Sequence, residues 1–115
     1  MNFFHVAIND GAVHLGDQIL PLTPAEARRI GDRPAVIFGI RPEHMRTSEH
    51  QASLTLTPVA IEPLGAHTLV LGQINDERVT AQVDPRFDAV ADRPCTVPVD
   101  MTQAHFFDSE TEQRL

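Results

Sequence analysis

Nine prolines and six glycines cut the 115-residue chain into short pieces, and short pieces favour strands over helices. Between these breaks the apolar residues recur with a period of two, the spacing of a strand with one face inward. Phe4, Val6 and Ile8 alternate with Phe3, His5 and Ala7. Asn9-Asp10-Gly11 supplies a hairpin signal, Val13 and Leu15 form the next inward pair, Gly16-Asp17 turns again, and Ile19 to Leu22 returns. Val36, Phe38 and Ile40 share one face and Ile37 and Gly39 the other, until Arg41-Pro42 ends or bends that strand. Thr47 to Ala52 read as a polar loop. The next strand changes phase: Leu54 and Leu56 alternate in even register, Val59 and Ile61 in odd. Pro58 sits at the switch, which predicts a bulge that swaps faces and helps a small barrel to close. Thr68 to Ile74, a turn at Asn75-Asp76, and an inward set of Val79, Ala81 and Val83 follow. Asp84-Pro85 breaks that strand, Asp88, Asp92 and Arg93 lie in a loop, and Cys95, Val97 and Val99 form another inward set before the apolar pair Phe106-Phe107.

One helix is signed. Thr23-Pro24-Ala25-Glu26 is a capping box with proline at the first helical position, and Gly31 is placed to end the helix after barely two turns. It is expected to be a connector over a sheet edge. The count is about eight or nine short strands with one short helix, which predicts an all-β fold, a small barrel or sandwich, in one domain over residues 1–115. There is no internal repeat and no low-complexity segment.

Composition excludes several functions. The apolar fraction of 42% and charged fraction of 22% are ordinary for a soluble globular domain. No apolar run approaches the ~20 residues that span a bilayer, and no charged-then-apolar leader opens the chain, so neither a membrane span nor a signal peptide is expected. The formal charge is −7, all nine basic residues are arginine, and Trp and Tyr are absent. Such a chain is poorly equipped to grip nucleic acid, which needs cations and stacking rings. The lone Cys95 has no disulfide partner and lies in an alternating apolar set, so it is expected to be an inert thiol.

The signatures of catalysis are missing too. Without lysine there is no phosphate loop, every glycine stands alone, and Ser48, Ser53 and Ser109 lack a nucleophile-elbow context. His5, His14, His44, His50, His67 and His105 show none of the spacings that build a metal site in one element. Asp88 with Asp92, and the series Asp108, Glu110 and Glu112, read as solvated acidic edges rather than acid–base pairs. The least ordinary stretch is Gly39-Ile40-Arg41-Pro42-Glu43-His44, where an apolar strand delivers Arg, Pro, Glu and His at its end. Arg41 offers a planar fork and Glu43 a local acceptor. Two roles stay open for it, a structural ion-pair corner or a partner-contact site.

That hexapeptide resembles the signature of the C-terminal regulatory domain of ABC importer ATP-binding subunits, of the maltose, glycerol-3-phosphate and oligosaccharide type, with the transport-associated OB fold. Three other stretches are similar to the family in the same order: Met1-Asn2-Phe3-Phe4 at the entry, Val59 to Val70 with Glu62, Leu64 and Gly65 at the strand–turn–strand, and His105-Phe106-Phe107-Asp108 with Thr111, Arg114 and Leu115 at the close. Together they span essentially the whole chain. Glu112 stands where the closing motif has glycine, so a looser terminal turn is expected.

The resemblance implies an OB-like β-barrel and a domain without catalytic residues, cofactor or metal, since ATP and Mg would belong to an ATPase domain preceding it in a longer subunit. It implies a cytoplasmic location, peripheral to the inner face of the cell membrane. The implied partners are a second copy of the domain, the subunit's own ATP-binding domain, the permease subunits and a regulatory protein, with no nucleic acid. The interface candidates it marks are Gly39, Ile40, Arg41, Pro42, Glu43, His44, Glu62, Leu64, Gly65, Phe107 and Asp108. The alternative is a small-ligand or oxyanion-sensing OB domain of an importer. The absence of lysine and the charge of −7 weigh against that alternative.

Overall fold

The computed structural model describes residues 1–46 and 52–115, so residues 47–51 of the expected polar loop lie outside the described residues. Among the described residues nine strands form: β1 (Asn2–Asn9), β2 (Ala12–Leu15), β3 (Gln18–Pro21), β4 (Ala35–Ile40), β5 (Ser53–Pro63), β6 (Thr68–Ile74), β7 (Glu77–Val83), β8 (Cys95–Pro98) and β9 (His105–Asp108). The helix α1 (Pro24–Ile30) joins β3 to β4, and two 3₁₀ turns cover Pro42–Met45 and Met101–Gln103. The strands pair antiparallel in a five-stranded sheet of order β3-β2-β1-β4-β9 and a four-stranded sheet of order β7-β6-β5-β8. The two curl around one core as an OB-like all-β barrel, as the strand count predicts.

The turns form where the sequence places them. Asp10 and Gly11 both take positive φ, 51° and 71°, and so do Asn75 and Asp76, 48° and 65°; these are the primed turns that match strand twist. The capping box of α1 is complete: the Glu26 N–H donates to Thr23 Oγ1 at 3.2 Å, and the Thr23 N–H donates to Glu26 Oε1 at 2.9 Å. Ile30, at the last turn of α1, is buried in the core. Phe4, Phe38 and Phe106 lie in one register row across β1, β4 and β9, with ring centroids 6.1 and 5.6 Å apart. From the other sheet, Leu54, Leu56, Val70, Val79, Ala81 and Val83 close over them.

Three expectations need correction. The bulge is present, with the register of β5 against β6 shifting between Pro58 and Ala60, and Val59 is the unpaired residue. It does not turn Val59 inward, however. Val59 is 63% exposed and Ile61 only half-buried, although Val70, the partner of Ile61 across the hairpin, is wholly buried. Cys95 likewise stops short of full burial: it is half-buried at the margin of the core, and burial pushes its thiol pKa up, which keeps it protonated and unreactive. Finally, Glu112 does not loosen the terminal turn. It takes φ 61° itself, and the turn closes through hydrogen bonds from the Glu112 N–H to the Asp108 carbonyl and from the Asp108 N–H to the Gln113 carbonyl, both 2.8 Å.

The sheets are joined by side chains acting as strands. The Asn2 carboxamide donates to the Thr80 carbonyl and accepts from the Thr80 N–H, both at 2.8 Å, and so pairs the start of β1 with the free edge of β7. Gln18 does the same to Thr55 of β5, at 2.9 and 2.7 Å. A primary amide carries one donor–acceptor pair with the geometry of a peptide, so each clip satisfies edge groups that no strand reaches.

Candidate functional site

The candidate residues fall into three places. The first is the outer face of the five-stranded sheet. Strand alternation sends Phe4 and Phe38 into the core and leaves Phe3, Ile37, Gly39 and Phe107 on the opposite face. Phe3 pairs with Gly39, and an added Cβ at Gly39 would lie 3.2 Å from Phe107 Cε2 and 3.4 Å from Phe3 Cε1. The glycine lets the two rings meet edge to face, 5.8 Å between centroids at 66°. Beside them Phe3, His5, Ile37, Phe107 and Glu112 line an open cavity of about 350 Å³. Phe3 is 53% exposed, so an aromatic ring and a recess lie side by side on the surface.

Asp108 borders this face and organises it. Its Oδ1 accepts the N–H groups of Thr111 and Glu110, both at 2.9 Å, and its Oδ2 receives Arg33 Nε at 3.1 Å. These bonds, the Thr111 one first, hold the Asp108 pKa down to about 2. Arg33 in turn donates to the Ile30 carbonyl at 2.8 Å, so one carboxylate ties the C-terminal turn to the end of α1. Asp108 is therefore a fastener of the fold.

The second place is the corner after β4. Ile40 is wholly buried and serves the core. Pro42 opens the 3₁₀ turn, whose first hydrogen bond runs from the His44 N–H to the Arg41 carbonyl at 3.0 Å. Arg41 and Glu43 are both exposed and make no ion pair. The ion-pair corner is thus not formed, because residues two apart on a tight turn project in different directions. What secures the corner is Met45, fully buried, and the Asp100 N–H donating to the His44 carbonyl at 2.9 Å.

The third place is the β5–β6 hairpin tip. Glu62 is exposed near the end of β5, and the chain reverses through Leu64 to His67 with the Leu64 N–H on the His67 carbonyl at 2.9 Å. Gly65 takes φ 90°, and Leu64 is 54% exposed. The structure brings Gly39 and Phe107 together on one sheet face with Asp108 at its border, sets Arg41 to His44 at that sheet's end, and places Glu62, Leu64 and Gly65 on a separate arm. Sequence reasoning did not single out Phe3 or Asn2 as individual site and clip residues. Strand alternation, which sets Phe3 opposite Phe4, was the signal for the first; nothing local identified the second.

The family model of the MalK OB fold domain matches residues 1–45, and that of the TOBE domain matches residues 38–107. The oligosaccharides import ATP-binding protein MsmX of Bacillus subtilis is 32% identical across the whole chain, which covers 34% of that protein. The sulfoquinovosyl glycerol transport ATP-binding protein SmoE of Agrobacterium fabrum is 31% identical, again across the whole chain and 33% of the relative. The sn-glycerol-3-phosphate import ATP-binding protein UgpC of Vibrio vulnificus is 34% identical over the whole chain and 31% of its own length. The chain thus spans about a third of the curated relatives that it matches.

Proposed function

The chain belongs to the TOBE domain family, and on that premise we propose that it is the non-catalytic regulatory and dimerisation domain of the ATP-binding subunit of an ABC-type sugar importer. The observation that carries this reading is the alignment of the whole chain with about a third of each import ATP-binding relative, together with two family models that follow one another along it. ATP hydrolysis belongs to the remaining two thirds of such a subunit. In this arrangement the domain sits on the cytoplasmic side, reaches the membrane only through the permease subunits, and touches its own ATP-binding domain and a second copy of itself.

The surfaces suit such a role. An exposed aromatic beside a recess, on a face rimmed by polar groups, is the form that protein contacts take. A partner on that face need not change the fold to regulate the subunit. Binding one arrangement of two ATPase halves more tightly than another shifts the balance between them by that difference in affinity. Sedimentation of the chain, alone and with the ATP-binding domain of its own subunit, tests the proposal. The expected outcome is a self-associating chain that binds the ATPase domain and hydrolyses no ATP. A strict monomer with no affinity for that domain sinks it.

A further inference from the structure

The net charge of −7 hides a local reversal of sign. At one end of the five-stranded sheet four basic side chains gather. The register pairs Gly39 with His105 and Phe107 with Arg114, which places His105 and Arg114 diagonally on the same outer face. Arg41 follows Gly39 by two positions and shares that face, since Ile40 between them points wholly into the core. His44 lies one 3₁₀ turn further on, and its Nδ1 is buried without a hydrogen-bond partner. His105 registers the assembly: desolvation first, then the charges of Arg114, Arg41 and His44, push its pKa down.

Among the described residues no ion pair neutralises the two arginines. Among the described residues the two ion pairs are Arg33 with Asp108 and Arg86 with Asp84, so neither Arg41 nor Arg114 is in an ion pair there. Asp100 meets the His44 carbonyl through its N–H, but spends its carboxylate on Thr102. Glu43 is exposed on the 3₁₀ turn, and Glu112 faces the cavity beside Phe3.

We propose that Arg41, His44, His105 and Arg114 form a receptor for a small phosphate or phosphomonoester dianion. Two permanent guanidinium charges balance the dianion, and their planar forks match its oxygens. Uncompensated charge on a sheet end next to an apolar recess gives the ligand an anionic head and room for a small organic group. The proposal is independent of the importer reading, because it stands or falls on binding by this chain.

Titration with inorganic phosphate at constant ionic strength, followed through the imidazole resonances in NMR, provides the test. A saturable shift of His105 and His44 is expected, with the His105 titration midpoint rising because a bound dianion favours imidazolium. Arg41→Gln and Arg114→Gln should each weaken binding by about tenfold or more, while Arg93→Gln, in the loop before β8, should leave it unchanged. Both arginines of the corner are exposed, and an unaltered amide spectrum confirms that these variants fold. Methyl phosphate binding more tightly than inorganic phosphate assigns the ester as the ligand, and equal binding assigns free phosphate. An unsaturable drift, equal shifts with chloride, or unchanged affinity in both arginine variants overturns the proposal.

Discussion

A single carboxylate, Asp108, shows how much one residue organises here. Three donors converge on it, so its pKa falls from 3.8 to about 2 in the folded state. The folded protein then binds fewer protons than the unfolded chain at acidic pH, and stability must decline as pH drops. The contribution is complete above about pH 4 and is lost as pH falls through 2. Asp108→Asn should therefore lower stability near neutral pH and flatten its acid dependence between pH 4 and 2, as read from denaturant midpoints across that range. A variant with the parent's acid slope would show that Asp108 carries none of it. Glu112 poses a different residue-scale problem. A non-glycine residue at φ 61° strains its backbone, although the surrounding hydrogen bonds hold it there. Glu112→Gly should raise stability by about 0.5–1 kcal/mol, the strain relief outweighing the extra freedom of the unfolded glycine. Thermal unfolding measures the sign, and a lower midpoint contradicts the strain.

At the scale of elements, the joints between sheets matter more than the strands. β7 is an edge strand whose Thr80 peptide groups point away from β6, and the Asn2 carboxamide takes them up. Asn2→Ala leaves a buried site with an unpaired donor and acceptor, and should cost about 1–3 kcal/mol. Asn2→Asp can still accept from the Thr80 N–H but sets a carboxylate oxygen against the Thr80 carbonyl in a buried site, so it should cost at least as much as Asn2→Ala. Urea unfolding of the three proteins decides the order. Equal stability of parent and Asn2→Ala would mean that water replaces the clip at no cost. Two of the other edges are blunted in a simpler way. β8 has four residues flanked or occupied by Pro94 and Pro98, and β3 ends at Pro21, so neither offers a long ladder to another chain. The prolines that cut the chain into strands also guard the strands' exposed sides.

For the whole molecule, net charge and local charge tell different stories. An acidic chain without lysine weighs against anion recognition when counted as a sum. Folding carries Arg41 and His44 from the middle of the sequence to His105 and Arg114 near its end, and the sum no longer describes that corner. The division between what was legible and what was not follows the range of the forces involved. Strand positions, the Asp-Gly and Asn-Asp turns, the capping box, the Pro58 bulge and the inward set of Val79, Ala81 and Val83 all rest on steric preferences and periodicity within a few residues. Local residue order is enough to specify these, along with the all-β class and the family. Which apolar side chains are covered, as at Val59 and Ile61, depends on what packs against the end of β5. The clips at Asn2 and Gln18, the fastening of Arg33 to Asp108 and the basic corner bring together residues 37 to 78 positions apart. Those emerge with the folded arrangement, because a hydrogen bond or a charge acts over ångströms of space and is blind to separation along the chain.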